Sequence, residues 1–307
     1  MENVDLARYG QATEILPLRL RPFARRLPAS QQRVAEELRL RIGQPMSVLL
    51  PQGELLLSTA PEARVQTGDL EQLCQQASDF AYYAAADSLR QGFLTVQGGF
   101  RLGVCGTVVM QEGRNAEMKQ ISSLSLRIAR EKPGIAQTLA EELFTGQRLH
   151  STLILSPPGG GKTTLLRDLV RLLSDGLGTH CGLRVGLVDE RGELAACHRG
   201  VPQLHIGRQT DVLDGCPKAI GIPMLLRAMN PQVIAVDEIS TAEDFQAIRQ
   251  AAGCGVSLLA TLHGTDLSEL RAKPLYAALL QERIFTRAIR LRNPAERVWC
   301  VEEVGAC

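Results

Sequence analysis

The pattern of hydrophobic and polar positions changes near the middle of the chain. Up to 134, short runs of alternating apolar and polar residues predict strands, and two longer stretches show helical spacing. From 135 onward, short continuous apolar runs alternate with amphipathic stretches, which is typical of a buried parallel sheet covered by helices. The pattern therefore predicts two domains, a smaller α+β domain at 1–134 and an α/β domain at 135–307.

The amino-terminal pattern places its strands and helices in separate blocks. One helix is predicted at 31–38, and a second is predicted to begin at an Asp69 cap and to end near Leu89. A Gly98-Gly99 turn between two apolar runs predicts a β-hairpin. The remaining predicted elements are strands at 39–42, 46–50, 54–57 and 121–128 and a connecting helix at 135–144.

The carboxyl-terminal pattern predicts several buried strands that end in polar residues. Parallel α/β sheets bind their ligands at the carboxyl ends of the strands, so these polar residues are expected to meet at one edge. The strands are predicted at 149–155, 183–188, 233–236 and 256–261.

The strongest chemical signal is S-P-P-G-G-G-K-T-T, the phosphate-binding loop from Ser156 to Thr164, which stands between a predicted strand and a predicted helix. Its glycines let several backbone N–H groups face one anion, and the following helix adds its positive amino-terminal end. Ser156 stands where the usual pattern has its first glycine, and the alternative is an ordinary glycine-rich turn. The predicted ligands are ATP and Mg²⁺, and the predicted nucleotide-binding residues are Pro158, Gly159, Gly160, Gly161, Lys162, Thr163 and Thr164.

An acidic pair follows the apolar run at 233–236. We expect Asp237, together with the Thr163 hydroxyl, to hold Mg²⁺. Glu238 is expected to polarise the water that attacks the γ-phosphate. The alternative is a solvated strand end that carries two carboxylates.

Two further strand ends offer candidate catalytic residues. His263 could sense the γ-phosphate through a hydrogen bond, although a histidine at a strand end can also be structural. Glu190 could assist Glu238 in placing the water, and its alternative is an ion pair with Arg191 or Arg184.

Arginines of the amino-terminal domain are candidates for completing the site. A guanidinium group can bridge two phosphate oxygens or offset charge in the transition state. Arg127 is the first choice and Arg101 the second, and Arg130 is a third candidate. Arg227, just before the acidic strand of the second domain, could have either kind of role as well. The alternative for each is a surface charge or an ordinary ion pair.

Composition limits the classes of partner. A formal net charge of +1 and an aromatic content of 4% argue against nucleic-acid binding, which depends on phosphate contacts and base stacking. The 8 cysteines include no C-x-x-C pair, which favours free thiols in a reducing cytoplasm. No apolar run approaches the roughly 20 residues that span a bilayer, and no signal peptide is evident, so we expect no direct membrane insertion.

Several segments resemble one family, that of stage III sporulation protein AA, a relative of the secretion ATPases of type II and type IV systems. The resemblance is dense over 85–265, and the segment at 210–219 is its most specific motif. The matching segments are Q-G-F-L-T-V-Q-G-G-F-R, I-S-S-L-S-L-R-I-A-R-E, S-P-P-G-G-G-K-T-T-L-L-R-D, V-D-E-R-G-E-L-A, R-Q-T-D-V-L-D-G-C-P-K-A and V-I-A-V-D-E-I.

This resemblance implies a RecA-like P-loop ATPase core behind an amino-terminal domain. It also implies a homo-oligomeric ring, a hexamer, that serves a membrane-embedded sporulation channel between mother cell and forespore. Glu238 would be the acidic-strand glutamate, Asp189-Glu190 the acidic box and His263 the histidine box. Ser240 stands where the family has a glycine.

Three functions are compatible with these residues. The favoured function is a ring-forming motor ATPase that works on a membrane complex. The second is a RecA-like ATPase that acts on nucleic acid, which the near-neutral charge disfavours. The third is a nucleotide-gated scaffold with little turnover, which Glu238 disfavours because a pure switch needs no general base.

Overall fold

The computed structural model describes residues 2–77, 89, 92–111, 114–293 and 298–305. The chain forms two compact units, Met1–Arg130 and Glu131–Cys307. The linking residues 131–134, which we expected in the first domain, therefore belong to the second unit.

The amino-terminal unit is built on a six-stranded antiparallel sheet. Its strand order is β3-β2-β1-β6-β5-β4, and the hairpin predicted around Gly98-Gly99 is formed by β4 and β5. The strands are β1 (Glu37–Arg41), β2 (Ser47–Leu50), β3 (Gly53–Leu56), β4 (Phe93–Val96), β5 (Phe100–Gln111) and β6 (Arg114–Arg127). The helices are α1 (Glu2–Ile15), α2 (Arg21–Arg25), α3 (Ala29–Gln32) and α4 (Thr67–Ala77).

The helix predicted at 31–38 is wrong. Helix α3 ends at Gln32, and strand β1 already begins at Glu37. Leu38 and Leu40 are fully buried, because β1 pairs with β2 on one side and with β6 on the other. Long-range strand pairing thus determines the structure of a segment whose local pattern also fits a helix.

The predicted cap of the next helix is also wrong. Helix α4 begins at Thr67, so Asp69 lies within its first turn. The Asp69 carboxylate accepts the backbone N–H of Gln66 at 2.6 Å and pairs with Arg19. The helix was predicted to continue to Leu89, but 78–88 lie outside the described residues.

The carboxyl-terminal unit is built on a seven-stranded sheet with the order β11-β10-β12-β13-β9-β14-β15. Its strands run parallel except for the final antiparallel pair, β14 and β15. The strands of this unit are β7 (Phe144–Thr145), β8 (Arg148–Leu149), β9 (Thr152–Ser156), β10 (Val185–Asp189), β11 (Thr210–Asp214), β12 (Val233–Val236), β13 (Ser257–His263), β14 (Arg287–Asn293) and β15 (Val298–Glu303). The short strands β7 and β8 form a separate two-stranded sheet.

Apolar cores cover both faces of the seven-stranded sheet. Ile154 packs into one core, whereas Leu153 and Leu155 of the same strand pack into the other. This arrangement explains the continuous apolar runs and confirms the predicted α/β class. The helices of this unit are α5 (Gln137–Glu142), α6 (Lys162–Asp175), α7 (Lys218–Ala228), α8 (Ala242–Gly253), α9 (Leu267–Arg271) and α10 (Pro274–Gln281).

None of the helices in the described part of the chain combines the length and apolar character needed to cross a membrane. The cysteines at described positions all have free thiols. Cys307 lies outside the described residues.

Candidate functional site

The phosphate-binding loop joins β9 to α6. Gly159 and Gly161 adopt φ values of 74° and 96°, a left-handed backbone that favours glycine. Gly160 is required for a different reason, because a Cβ atom there would lie 2.9 Å from Cβ of Ser156 and 3.1 Å from a methyl carbon of Leu291. The side chain of Ser156, which replaces the first glycine of the usual motif, therefore packs beneath the loop rather than projecting into it.

Lys162 points its ammonium group back into this loop. The side chain is buried, and Nζ donates to the carbonyl oxygens of Ser156 at 2.9 Å and of Pro157 at 3.3 Å. Burial lowers the pKa of Lys162, whereas the charges of Glu238 and Asp237 act to raise it. A phosphate at the loop would supply the negative charge that this buried ammonium needs.

His263 joins the loop lysine to the acidic strand. Its Nδ1 lies 2.9 Å from Nζ of Lys162, and its Nε2 lies 3.1 Å from Oε2 of Glu238. An ammonium group can only donate, so Nδ1 accepts and the ring proton is assigned to Nε2, which faces the carboxylate. The imidazole thus links the lysine that would hold phosphate to the carboxylate proposed as the base.

Strand order explains why a histidine occupies this place. The acidic strand β12 is not the immediate neighbour of β9, because β13 lies between them. With neighbouring strands about 4.8 Å apart, the ends of β9 and β12 are separated by about 10 Å. His263 at the end of β13 occupies the gap between Lys162 and Glu238.

The expected Mg²⁺ ligands are oxygen atoms at the same edge. Thr163 lies in the first turn of α6 and is half-buried. Oδ1 of Asp237 accepts a hydrogen bond of 2.9 Å from the Thr261 hydroxyl, which orients the carboxylate. A hydroxyl and a carboxylate are hard donors that suit Mg²⁺, which usually keeps several waters and binds substrate phosphates as well. The residues present therefore fit this ion.

Asp189 anchors a loop. It is buried, and its carboxylate accepts the backbone N–H groups of Glu193, Leu194 and Ala195 at 2.8–3.0 Å. Burial raises the pKa of Asp189, while these three hydrogen bonds lower it. The first half of the acidic box thus holds 189–195 in place.

Glu190 pairs with Lys218, a residue that the sequence analysis did not connect with it. The Lys218 side chain is only 8% exposed, so this is a largely buried cation. Neither of the ion pairs considered for Glu190, with Arg191 or with Arg184, is formed among the described residues. The end of β10 also lies three strands from β9, about 14 Å, so Glu190 is farther than Glu238 from the loop.

The arginines predicted to complete the site lie in the amino-terminal unit. Arg101 on β5 and Arg127 on β6 are directly paired across the two strands. The Arg101 guanidinium lies 3.6 Å from the ring centre of Phe93, and Nε of Arg127 lies 3.5 Å from Glu37. Their role in the site stays a prediction.

The two remaining candidate arginines have structural contacts. Arg130 lies 3.1 Å from Asp5 and donates to the carbonyl oxygen of Ala35. Arg227 donates to the carbonyl oxygen of Pro223, one turn earlier in its own helix.

Two further arginines near the site were missed as functional candidates. Nη1 of Arg191 lies 3.9 Å from Oε2 of Glu238. Arg167, one turn after Thr163, donates to the carbonyl oxygens of Leu194 and Glu193. The only signal in the sequence was their position. Arg191 directly follows the acidic box, and Arg167 lies within the helix that follows the phosphate-binding loop.

A family model of sporulation stage III protein AA matches residues 7–300. The chain is 38% identical over 282 residues to stage III sporulation protein AA of Bacillus subtilis strain 168. That alignment covers 92% of this chain and 90% of the relative.

Solved structures of secretion and pilus ATPases are similar to the chain. The DotB ATPase of Legionella pneumophila has a TM-score of 0.54 at 19% identity, over 83% of this chain and 72% of that one. The pilus retraction motor PilT with bound ADP has a TM-score of 0.58 at 17% identity, over 84% and 74%. At these identities the likeness shows the fold, that of the P-loop ATPases.

Proposed function

The chain belongs to the sporulation stage III protein AA family, and we propose that it is a Mg²⁺-dependent ATPase that forms a ring and works as a motor. The observation that carries this proposal is the chain of contacts from Lys162 through His263 to Glu238. It connects the cation proposed to bind phosphate to the carboxylate proposed as the base through one imidazole, with contacts of 2.9 Å and 3.1 Å.

Nucleotide binding rests on the loop and the first turn of α6. Backbone N–H groups of 159–162 and the positive end of α6 surround the β-phosphate in this proposal. Lys162 exchanges its carbonyl partners for phosphate oxygens, which are charged and therefore stronger acceptors. Mg²⁺, held by Thr163 and Asp237, would neutralise charge on the β- and γ-phosphates.

In the proposed hydrolysis, Glu238 and His263 have different roles. Glu238 accepts a proton from a water molecule as the water oxygen forms a bond to the γ-phosphorus. The bond from that phosphorus to the bridging oxygen breaks, and ADP and inorganic phosphate leave. His263 keeps the Glu238 carboxylate directed towards the phosphate by donating from Nε2.

The family and the fold support the proposed setting. We propose that copies of the chain assemble into a homo-oligomeric ring, a hexamer, at a membrane-embedded sporulation channel. The chain would act from the cytoplasmic side and reach the membrane through those partner proteins. Arg127, or else Arg101, remains our prediction for an arginine that completes the site from within a subunit or from its neighbour.

Two substitutions test the proposed reaction. Lys162→Ala is expected to abolish or severely weaken ATP binding, because it removes charge-assisted hydrogen bonds worth roughly 1.5–3 kcal/mol each. Glu238→Gln is expected to bind ATP normally and to lose turnover by about 10²- to 10⁴-fold, because it removes the proton acceptor. Nucleotide affinity and steady-state phosphate release measure the two effects.

Glu243→Gln is the matched control, since it makes the same change at an exposed helix position. Normal turnover by Glu238→Gln together with loss of turnover in Glu190→Gln would show that the base is Glu190, and that its assignment to Glu238 is wrong. Unchanged ATP affinity in Lys162→Ala would contradict the phosphate-binding loop itself. A wild-type protein that binds ATP but scarcely hydrolyses it would instead be a nucleotide-gated scaffold.

A further inference from the structure

We infer that Arg191 binds the terminal phosphate of ATP in its own subunit and thereby lets the site distinguish ATP from ADP. This inference rests on the proposed function and adds a residue to it. It starts from the position of Arg191, whose guanidinium is the cation next to the proposed base Glu238, at 3.9 Å.

The backbone that carries Arg191 is held firmly. The carboxylate of Asp189 accepts three N–H groups from 193–195, which closes the loop behind the arginine. Arg167 on α6 is half-buried and donates to the carbonyl oxygens of Glu193 and Leu194. Because Arg167 lies one turn from Thr163, the loop that carries Arg191 is fixed to the same helix as the phosphate-binding residues.

The guanidinium group of Arg191, by contrast, is largely exposed and has no close ion-pair partner among the described residues. Its side chain is 64% exposed, and at 3.9 Å its contact with Glu238 is longer than a hydrogen bond. No other ion pair of Arg191 is formed within the described part of the chain. Its donors are therefore available for an anion, and the fixed loop limits the entropy lost when the side chain is ordered.

The local charges favour a phosphate as that anion. The terminal phosphate would lie between Lys162 and the water held by Glu238, beside the carboxylate that Arg191 approaches to 3.9 Å. A planar guanidinium can contact two phosphate oxygens at once and can stabilise charge that develops in the transition state. ADP lacks this phosphate, so an interaction at this point favours ATP and leaves ADP binding unaffected.

The test compares Arg191→Ala and Arg191→Lys in the full-length protein. For Arg191→Ala we expect affinity for a non-hydrolysable ATP analogue to fall by about 10-fold or more, while ADP affinity stays within about 2-fold. Turnover should fall by about 10³-fold, the lower end of the range for arginine fingers. Arg191→Lys should recover part of the analogue affinity, because it keeps the charge but not the planar fork.

Arg208→Ala is the matched control. Arg208 is 82% exposed in the same unit and pairs with Asp175, so its loss should change neither affinity nor turnover. An Arg191→Ala variant with the wild-type ratio of analogue to ADP affinity would overturn the inference. Equal weakening of both nucleotides with a lowered melting temperature would also overturn it, since that result indicates a purely structural role.

The failures of the two proposals are distinguishable. If the wild type binds nucleotide but scarcely hydrolyses it, the proposed motor fails, and the analogue-to-ADP ratio still decides the role of Arg191. If the wild type binds neither nucleotide, both proposals are wrong.

A mixing experiment tests whether Arg191 acts within its own subunit. Lys162→Ala subunits have an intact Arg191, and Arg191→Ala subunits have an intact phosphate-binding loop. An equimolar mixture is expected to show no activity beyond the average of its components. Restored turnover would show that Arg191 acts on a neighbouring subunit, which would contradict the inference.

Discussion

At the scale of single residues, the bridging position of His263 results from the order of three neighbouring strands, β9, β13 and β12. Lys162 follows β9 and Glu238 follows β12, and their separation would prevent direct contact without a group at the end of β13. An imidazole has one acceptor and one donor on opposite sides of the ring, which matches an ammonium on one side and a carboxylate on the other.

His263→Ala should therefore reduce turnover while nucleotide binding persists. Loss of the ring frees the Glu238 carboxylate to leave its working position, and small misplacements of catalytic groups can cost about 10²-fold in rate. Phosphate release at saturating ATP, with ADP affinity measured in parallel, checks this expectation. A variant that turns over at the wild-type rate would show that the bridge has no catalytic role.

The sequence predicts part of this site and misses another part for a physical reason. The phosphate-binding loop and the pair Asp237-Glu238 are contiguous motifs whose chemistry depends on spacing along the chain. The contacts of Glu190 with Lys218 and of Arg191 with Glu238 depend on which strands are neighbours in the sheet. Strand order is set by long-range packing, so no local pattern indicates these partners.

At the scale of elements, the phosphate-binding loop departs from the usual motif at its first position, and this departure affects the packing at Gly160. Ser156 replaces the usual first glycine, and its side chain occupies the space under Gly160. Its hydroxyl donates to the carbonyl oxygen of Pro157 at 3.0 Å. The loop therefore tolerates the Ser156 side chain only while residue 160 is glycine.

Gly160→Ala should lower the free energy of unfolding by about 1–3 kcal/mol, because the added methyl group overlaps Ser156 and crowds Leu291. The double variant Ser156→Gly/Gly160→Ala should be more stable than the sum of the two single changes predicts, since the overlap with Ser156 is gone. Chemical unfolding of the four proteins measures this coupling.

Gly253→Ala is the control, because a Cβ atom there meets no other atom within 4 Å. It should change stability by no more than about 1 kcal/mol, in the stabilising direction at a helical position. Additive effects of the two loop substitutions would contradict the packing described for Ser156 and Gly160.

The elements of the two units differ in how well local sequence predicts them. In the carboxyl-terminal unit, each predicted buried strand is present, because strands covered on both faces have continuous apolar runs. In the amino-terminal unit, the local pattern at 31–38 predicts a helix, although Leu38 at its end and Leu40 just after it alternate with arginines. That alternation becomes decisive only when β2 and β6 are known to lie on either side.

At the scale of the whole molecule, the chain combines a unit with the fold of the P-loop ATPases and an antiparallel amino-terminal unit. The change in hydrophobic pattern near residue 134 predicted two units, and the family resemblance was confirmed by the match over residues 7–300. Assembly is less accessible to sequence analysis, because an interface between copies involves surface residues without a periodic pattern.

The chain is proposed to be an ATPase whose active form is a ring. The most direct test of this proposal is phosphate release per subunit over a wide range of protein concentration, with molecular mass measured in parallel with and without Mg²⁺-ATP. For an active ring we expect that activity per subunit rises with concentration and that Mg²⁺-ATP shifts the protein to a closed oligomer of fixed size. Activity per subunit that stays constant on dilution, in a protein that remains monomeric with Mg²⁺-ATP, would contradict the proposal.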